Sequence, residues 1–211
     1  MVSPKPLSKK TIKGILKNSF LNRKKGNLQN MLKSITVFAG SADNCPEIYK
    51  QAAENLGRAI ARQGRELVYG SGYSGLMGSV ARGAKAAGGR IVGINVRRFE
   101  DYPPLPGTDE LLMMETLPER KAALIDRGEA CIAVPGGVGT LDELMDVYAL
   151  VQAGILEKPL GLLNVNGYFD GLLAQLRRAH RDGFVNDRDF HRLIAADDPE
   201  TLLRLLDEEA K

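Results

Sequence analysis

The chain has 211 residues, 44% of them apolar, with no Trp, two Cys and two His, a size and composition that suit one domain with an aliphatic core. Its net charge of +3 conceals an asymmetry: residues 1–33 carry nine Lys or Arg and no acidic side chain, so the remainder holds 20 basic against 26 acidic groups and is acidic overall. These numbers argue against nucleic-acid binding by the body of the chain and against a membrane span of roughly 18 apolar residues. They also argue against zinc, disulfide or histidine-triad chemistry, since Cys45 and Cys131 stand far apart and His180 and His191 come late.

The basic leader has Ile12, Ile15, Leu16 and Phe20 at helical spacing. It reads either as a membrane-surface or targeting helix or as a weakly structured extension, and the second reading is preferred. The domain expectation is an extension over 1–33, followed by one unit over 34–211. A reducing cytoplasm is the expected location.

From residue 34 onward, strands and helices alternate. "SITVFAG" (34–40) is a short apolar, β-branched run and reads as a buried strand. The next segment places Ile48, Ala52, Leu56, Ala59 and Ile60 at helical spacing, and Gly64 closes it. "RELVYG" is a second strand, "GLMGSVARGAKAAGG" a helix of small residues, and "RIVGINV" a third strand. Three prolines make "RRFEDYPPLPGTDE" a loop. "LLMMETL" is strand-like, and Pro118 suits the first turn of a short helix. "ACIAV", "KPLGLLNV" and "HRLIAA" complete the strands; helices follow "PGG", Tyr168 and Asp198-Pro199. Short apolar strands between helices imply an α/β fold, Rossmann-like and doubly wound, with a mostly parallel sheet covered by helices on both faces. Ligands of such sheets bind at the carboxyl ends of the strands, where strand order reverses.

Two glycine turns follow strands. Gly70, Gly72 and Gly75 formally match G-x-G-x-x-G. Three readings stay open there: a dinucleotide site, simple tight packing, and a phosphate or sugar contact through backbone N–H groups. The first is weakened because the turn follows the second strand and because Asn95 stands where an acidic residue would hold ribose. The second turn is "VPGGVGTLDELMD" (134–146). Gly136, Gly137 and Gly139 allow a sharp turn and close ligand approach, Thr140 offers a hydroxyl and a helix cap, and a helix start favours an anion. Glu143 lies three residues after Thr140 on the same helix face, within reach of a sugar beside that phosphate. Arg120 and Lys121 stand near another helix start, where cations are unfavourable without an anionic partner such as Glu143 or a substrate phosphate.

"PGGVGTLDE" resembles the P-G-G-x-G-T-x-x-E signature of the LOG ("Lonely Guy") family. "GSGYSGLMGSVARGA" and "ERKAALID" resemble that family's earlier glycine and arginine-lysine motifs, and "FAGS" and "KPLGLLNVNGYFDGLL" also fit, over about 34–195. The resemblance implies a Rossmann-like homodimer without metal or redox cofactor. Its reaction would hydrolyse the N-glycosidic bond of a nucleoside 5'-monophosphate, AMP or an N6-modified cytokinin nucleotide, to free base and ribose 5-phosphate. The family's catalytic arginine and glutamate match Arg120 and Glu143. Gly40, Ser41, Gly72, Ser74, Gly75, Lys121, Gly136, Gly137, Gly139 and Thr140 would bind substrate. The runner-up is a non-catalytic nucleotide or molybdenum-cofactor carrier on the same fold. The chain departs from the family at Leu117-Pro118, at Ser71 in place of the middle glycine, and at "INVRRFED". The first and last of these are expected to border the base and sugar pocket.

Overall fold

The structure, a computed structural model, describes residues 31–210, so the reading of the leader as a helix or tail falls outside the described residues. The strands are β1 (Ser34–Phe38), β2 (Glu66–Tyr69), β3 (Ile91–Val96), β4 (Glu110–Met114), β5 (Ala130–Ala133), β6 (Leu160–Leu163) and β7 (Leu193–Ala196). The helices are α1 (Glu47–Arg62), α2 (Gly75–Ala86), α3 (Leu117–Arg127), α4 (Val138–Gln152), α5 (Asp170–Arg181), α6 (Asp187–His191) and α7 (Pro199–Glu209).

The strands form one sheet in the order β4-β3-β2-β1-β5-β6-β7, and every pairing is parallel. The expected "mostly parallel" sheet is thus fully parallel among the described residues. The strand-like 111–117 run supplies β4, which pairs with β3 from Val92↔Glu110 to Val96↔Met114. The chain winds outward from β1 to β4, then returns beside β1 as β5, so strand order reverses between β1 and β5.

Alternation along each strand divides the core in two. Ile35 and Val37 of β1 face one way, packing with Leu67, Tyr69 and Ile132 against Leu56 and Ile60 of α1, Val80 of α2 and Leu202 of α7. Phe38 faces the other way, with Val68, Val92 and Cys131, against Leu124 of α3 and Leu144 and Val147 of α4. Thr36 shares that second face, and its hydroxyl donates to the Leu124 carbonyl at 2.7 Å, which satisfies the one polar group of the strand interior. Cys131 is fully enclosed there, and burial pushes its thiol up to about 12, so it behaves as a small apolar residue.

Three details differ from expectation. Ile48 is 50% exposed because it sits on the first turn of α1, and the buried stripe begins at Ala53. The proline loop contains a 3-10 turn over Arg97–Phe99. Leu32 is buried and its N–H donates to Asp207 at 3.1 Å, so the packed unit reaches back at least to Leu32.

Candidate active site

A cleft of about 760 Å³ opens over the carboxyl ends of β1, β2, β3 and β5, at the reversal point of the sheet. Ten of the twelve residues expected to act there line it: Gly40, Ser41, Gly72, Ser74, Arg120, Lys121, Gly137, Gly139, Thr140 and Glu143. Gly75 and Gly136 stand behind the lining, where they let other chain segments approach.

The two glycine turns have different electrostatic states. At the first, the helix start of α2 is already occupied. Gly75 N–H donates to the Asp43 carboxylate at 2.7 Å, and Leu76 and Met77 N–H both donate to the Gly40 carbonyl. Gly75 has φ +58°, and a Cβ there would lie 2.5 Å from the Ser41 carbonyl carbon, so this position needs glycine to seat α2 on the loop after β1. Ser71 also has a left-handed backbone (φ 69°), and its fully buried hydroxyl has no hydrogen-bond partner.

At the second turn, α4 begins after Gly137 with no side-chain cap. Thr140 therefore does not cap the helix, contrary to expectation; it lies inside the first turn and is 3% exposed. Its hydroxyl packs under the loop, where a Cβ on Gly136 would fall 2.1 Å from Thr140 Oγ1 and 2.8 Å from the Gly40 nitrogen. The loops after β1 and β5 touch directly, through Gly40 N–H donating to the Pro135 carbonyl at 3.3 Å. The exposed start of α4, with Gly137, Val138 and Gly139 facing solvent, is left with the positive end of its dipole open to the cleft.

Arg120 and Glu143 meet across this cleft. The arginine sits in the first turn of α3, a helix started by a capping box in which Thr116 and Glu119 satisfy each other's backbone N–H groups. Its Nη1 donates to Glu143 Oε1 at 2.8 Å, its Nε to the Ile94 carbonyl at 3.1 Å and its Nη2 to the Gly70 carbonyl at 3.3 Å. One guanidinium thus joins the ends of β2 and β3 to α4. The two side chains are only 12% and 13% exposed. Burial pushes the Glu143 carboxyl above its ordinary value, against the opposing pull of Arg120. Lys121 has separate anionic partners, Asp142 at 3.1 Å and Asp146 at 3.2 Å. Burial alone would lower its pKa, but these two carboxylates outweigh that and hold the ammonium above its ordinary value.

The far wall is apolar and aromatic: Tyr73, Phe99, Tyr102 and Leu117 border it with Asn95. Leu117 and the segment after β3 thus border the cleft. Asn95 is buried, with its amide oxygen accepting from Val96 N–H at 2.9 Å and its amide nitrogen donating to the Phe99 carbonyl at 3.2 Å. It supports the wall segment that carries Phe99. Asp43 and the Gly70 carbonyl were not anticipated, because their partners lie 32 and 50 residues away in sequence.

Residues 77–206 match the protein family described as "Possible lysine decarboxylase". A cytokinin riboside 5'-monophosphate phosphoribohydrolase of Rhodococcoides fascians is 39% identical over 170 residues, covering 80% of this chain and 86% of that protein. One from Arabidopsis thaliana is 37% identical over 181 residues, covering 85% of this chain and 79% of its own. The chain belongs to the LOG family. Among solved structures, a molybdenum cofactor binding protein from Rippkaea orientalis superposes with TM-score 0.64 at 22% identity, over 84% of this chain and 96% of that one. The carrier protein of Chlamydomonas reinhardtii gives TM-score 0.64 at 21% identity, over 83% and 96%. At that identity the likeness establishes that the LOG fold is shared with these carriers, and no more.

Proposed function

We propose that this LOG-family chain hydrolyses the N-glycosidic bond of a nucleoside 5'-monophosphate, AMP or an N6-modified cytokinin nucleotide, to free base and ribose 5-phosphate. One observation carries the reading: a largely enclosed, arginine-paired carboxylate stands one helical turn inside an uncapped, glycine-lined helix start. The phosphate would rest on backbone N–H groups of Gly137, Val138 and Gly139. The ribose would then lie over Glu143 and the base against Phe99, Tyr102 and Leu117. Asp43 already fills the start of α2, which favours the α4 turn for the phosphate and leaves Gly72, Ser74 and Ser41 to contact the sugar.

The carboxylate suits glycosidic cleavage, whose transition state carries positive charge on the sugar ring. Ionised Glu143 would stabilise that charge and take a proton from the attacking water, whose oxygen bonds to the anomeric carbon as the C–N bond breaks. The base leaves with the bonding electrons and takes up a proton from solvent, and Glu143 returns the proton it took from water to solvent, so that one water is consumed for each bond broken. Arg120 would hold Glu143 in place and favour its ionised form against the opposing effect of burial. Lysine decarboxylation usually needs a lysine free to bind pyridoxal phosphate. Lys121, the lysine that lines the cleft, is instead engaged by two carboxylates.

We further propose a cytoplasmic homodimer whose ligand is this small nucleotide rather than nucleic acid, with residues from Leu32 onward acting as one unit. Leu172, Leu173 and Leu176 of α5 pack against the core, so the support for self-association is the large apolar side chain of Phe184 beyond that helix, which stands exposed. Among the described residues, no helix is long and apolar enough to cross a membrane. The carrier alternative rests on likeness of fold. Incubation with AMP and with N6-prenyl AMP separates the two: release of free base and ribose 5-phosphate supports the hydrolase, and tight binding without turnover supports the carrier.

A further inference from the structure

The peptide between Gly136 and Gly137 is flanked by two residues without side chains, so its plane is among the easiest in the cleft to rotate. Neither its carbonyl nor its N–H has a backbone hydrogen-bond partner among the described residues. The carbonyl of Gly136 instead accepts a 2.6 Å hydrogen bond from the phenol of Tyr168, which lies beyond β6. A trans peptide is planar and its C=O and N–H point in opposite directions. Fixing the carbonyl towards Tyr168 therefore fixes the Gly137 N–H away from Tyr168. Gly137 lines the cleft and Tyr168 does not.

Tyr168 is itself held firmly. Its ring meets Tyr49 of α1 edge-on with centroids 5.4 Å apart, and Phe169 at 5.0 Å. It follows a turn in which Asn166 (φ 53°) and Gly167 (φ 68°) both take left-handed backbones, and its own N–H donates to the Val165 carbonyl at 3.1 Å. The neighbouring Pro135 carbonyl is held separately by Gly40. The glycine turn is thus anchored on both sides of the Pro135–Gly136 unit.

We propose that Tyr168 is a positioning residue for phosphate recognition: its hydroxyl sets the orientation of the Gly136–Gly137 peptide so that the Gly137 N–H is presented to the ligand phosphate. The proposal rests on the α4 turn being the phosphate site. Tyr168 touches no reacting atom, so its loss alters binding of the phosphate and leaves the chemical step alone.

The test compares wild type and Tyr168→Phe, which keeps the ring contacts and removes the hydroxyl. Calorimetric affinities are measured for AMP, ribose 5-phosphate and adenosine, alongside KM, kcat and Tm. The expected result is AMP and ribose 5-phosphate bound about three- to tenfold more weakly, as for one lost hydrogen bond. Adenosine affinity stays unchanged, KM rises with kcat within about twofold, and Tm stays within about 2 °C. A Tyr168→Leu variant, which also strips the ring contacts, lowers Tm and so marks what a packing defect looks like. Unchanged AMP affinity in Tyr168→Phe overturns the proposal, as does equal weakening of AMP and adenosine. If wild type binds AMP without cleaving it, the hydrolase reading fails, and the AMP-to-adenosine comparison still decides the role of Tyr168. If wild type binds neither AMP nor ribose 5-phosphate, both readings are overturned.

Discussion

Arg120 and Glu143 are joined at 2.8 Å by a hydrogen bond between two nearly enclosed side chains, and the arginine is in turn tied to the carbonyls of Gly70 and Ile94. The carboxylate is consequently under two opposed influences. Enclosure favours its neutral form, whereas the guanidinium favours its charged form, and enclosure is the larger.

A pH dependence follows from that balance. Glu143 acts as an anion in the proposed mechanism, and its carboxyl is raised above the ordinary value. The acid limb of the kcat/KM profile should therefore lie above the usual glutamate range, with activity lost as pH falls through it. Arg120→Met removes the influence that lowers the pKa, so the limb should move higher still. Initial rates from pH 4 to 8, or a carbon NMR titration of the Glu143 carboxyl, would check both; a limb in the ordinary carboxylate range would contradict them.

Glu143→Gln should lower base release by about 10²–10³-fold while AMP binding remains measurable. The stability effect has a definite sign. A carboxyl raised in the folded state stabilises the fold below its unfolded pKa, and that contribution is lost as pH rises through the folded value. Gln imitates the protonated acid at every pH, so the variant should be no less stable than wild type at pH 7. Thermal melts at pH 5 and pH 7 would detect the opposite result.

Ser71→Gly should stabilise the protein. The serine occupies a left-handed backbone at φ 69° with a buried hydroxyl that has no partner. Relief of both defects exceeds the added freedom of glycine in the unfolded chain, for a net gain of about 1 kcal/mol. Urea unfolding would show it as a higher midpoint at constant m-value; a lower midpoint would mean that the hydroxyl contributes to the fold.

Gly136→Ala should damage the site without requiring any change in charge. Its Cβ would collide with Thr140 Oγ1 and with the Gly40 backbone, forcing apart the loops after β1 and β5. A destabilisation of about 2 kcal/mol is expected, with phosphate affinity falling more than adenosine affinity. Calorimetry and denaturant melts on the same preparation would test it. Gly139→Ala is the control for stability alone, because a Cβ there meets no protein atom within 4 Å.

Much of the fold is legible because its strands are short apolar runs and its helices are punctuated by Gly64, Pro118 and Asp198-Pro199. The pairing of Arg120 with Glu143 was foreshadowed by a cation placed against a helix dipole, a local conflict that demands an anionic partner. The capping box at Thr116 is written in the sequence as T-x-x-E, beside the more visible Pro118. Ile48 misled because periodicity gives spacing and not where a helix meets the sheet. Asp43 on Gly75 and Tyr168 on Gly136 are contacts between separate crossovers, each spanning 32 residues of sequence. Such contacts depend on which strands become neighbours, and local patterns are silent on that.

The carboxylate of Asp43 at the head of α2 gives the cleft a polarity of its own. Three helices begin at this rim: the start of α2 is answered by an anion, that of α3 by its capping box, and that of α4 lies open. A phosphorylated guest of the proposed site would therefore meet repulsion on one bank and attraction on the other. On the proposed reading it would be accepted in a single orientation, and a nucleotide phosphorylated at the 3'-hydroxyl instead would have to lie backwards to satisfy the same bank.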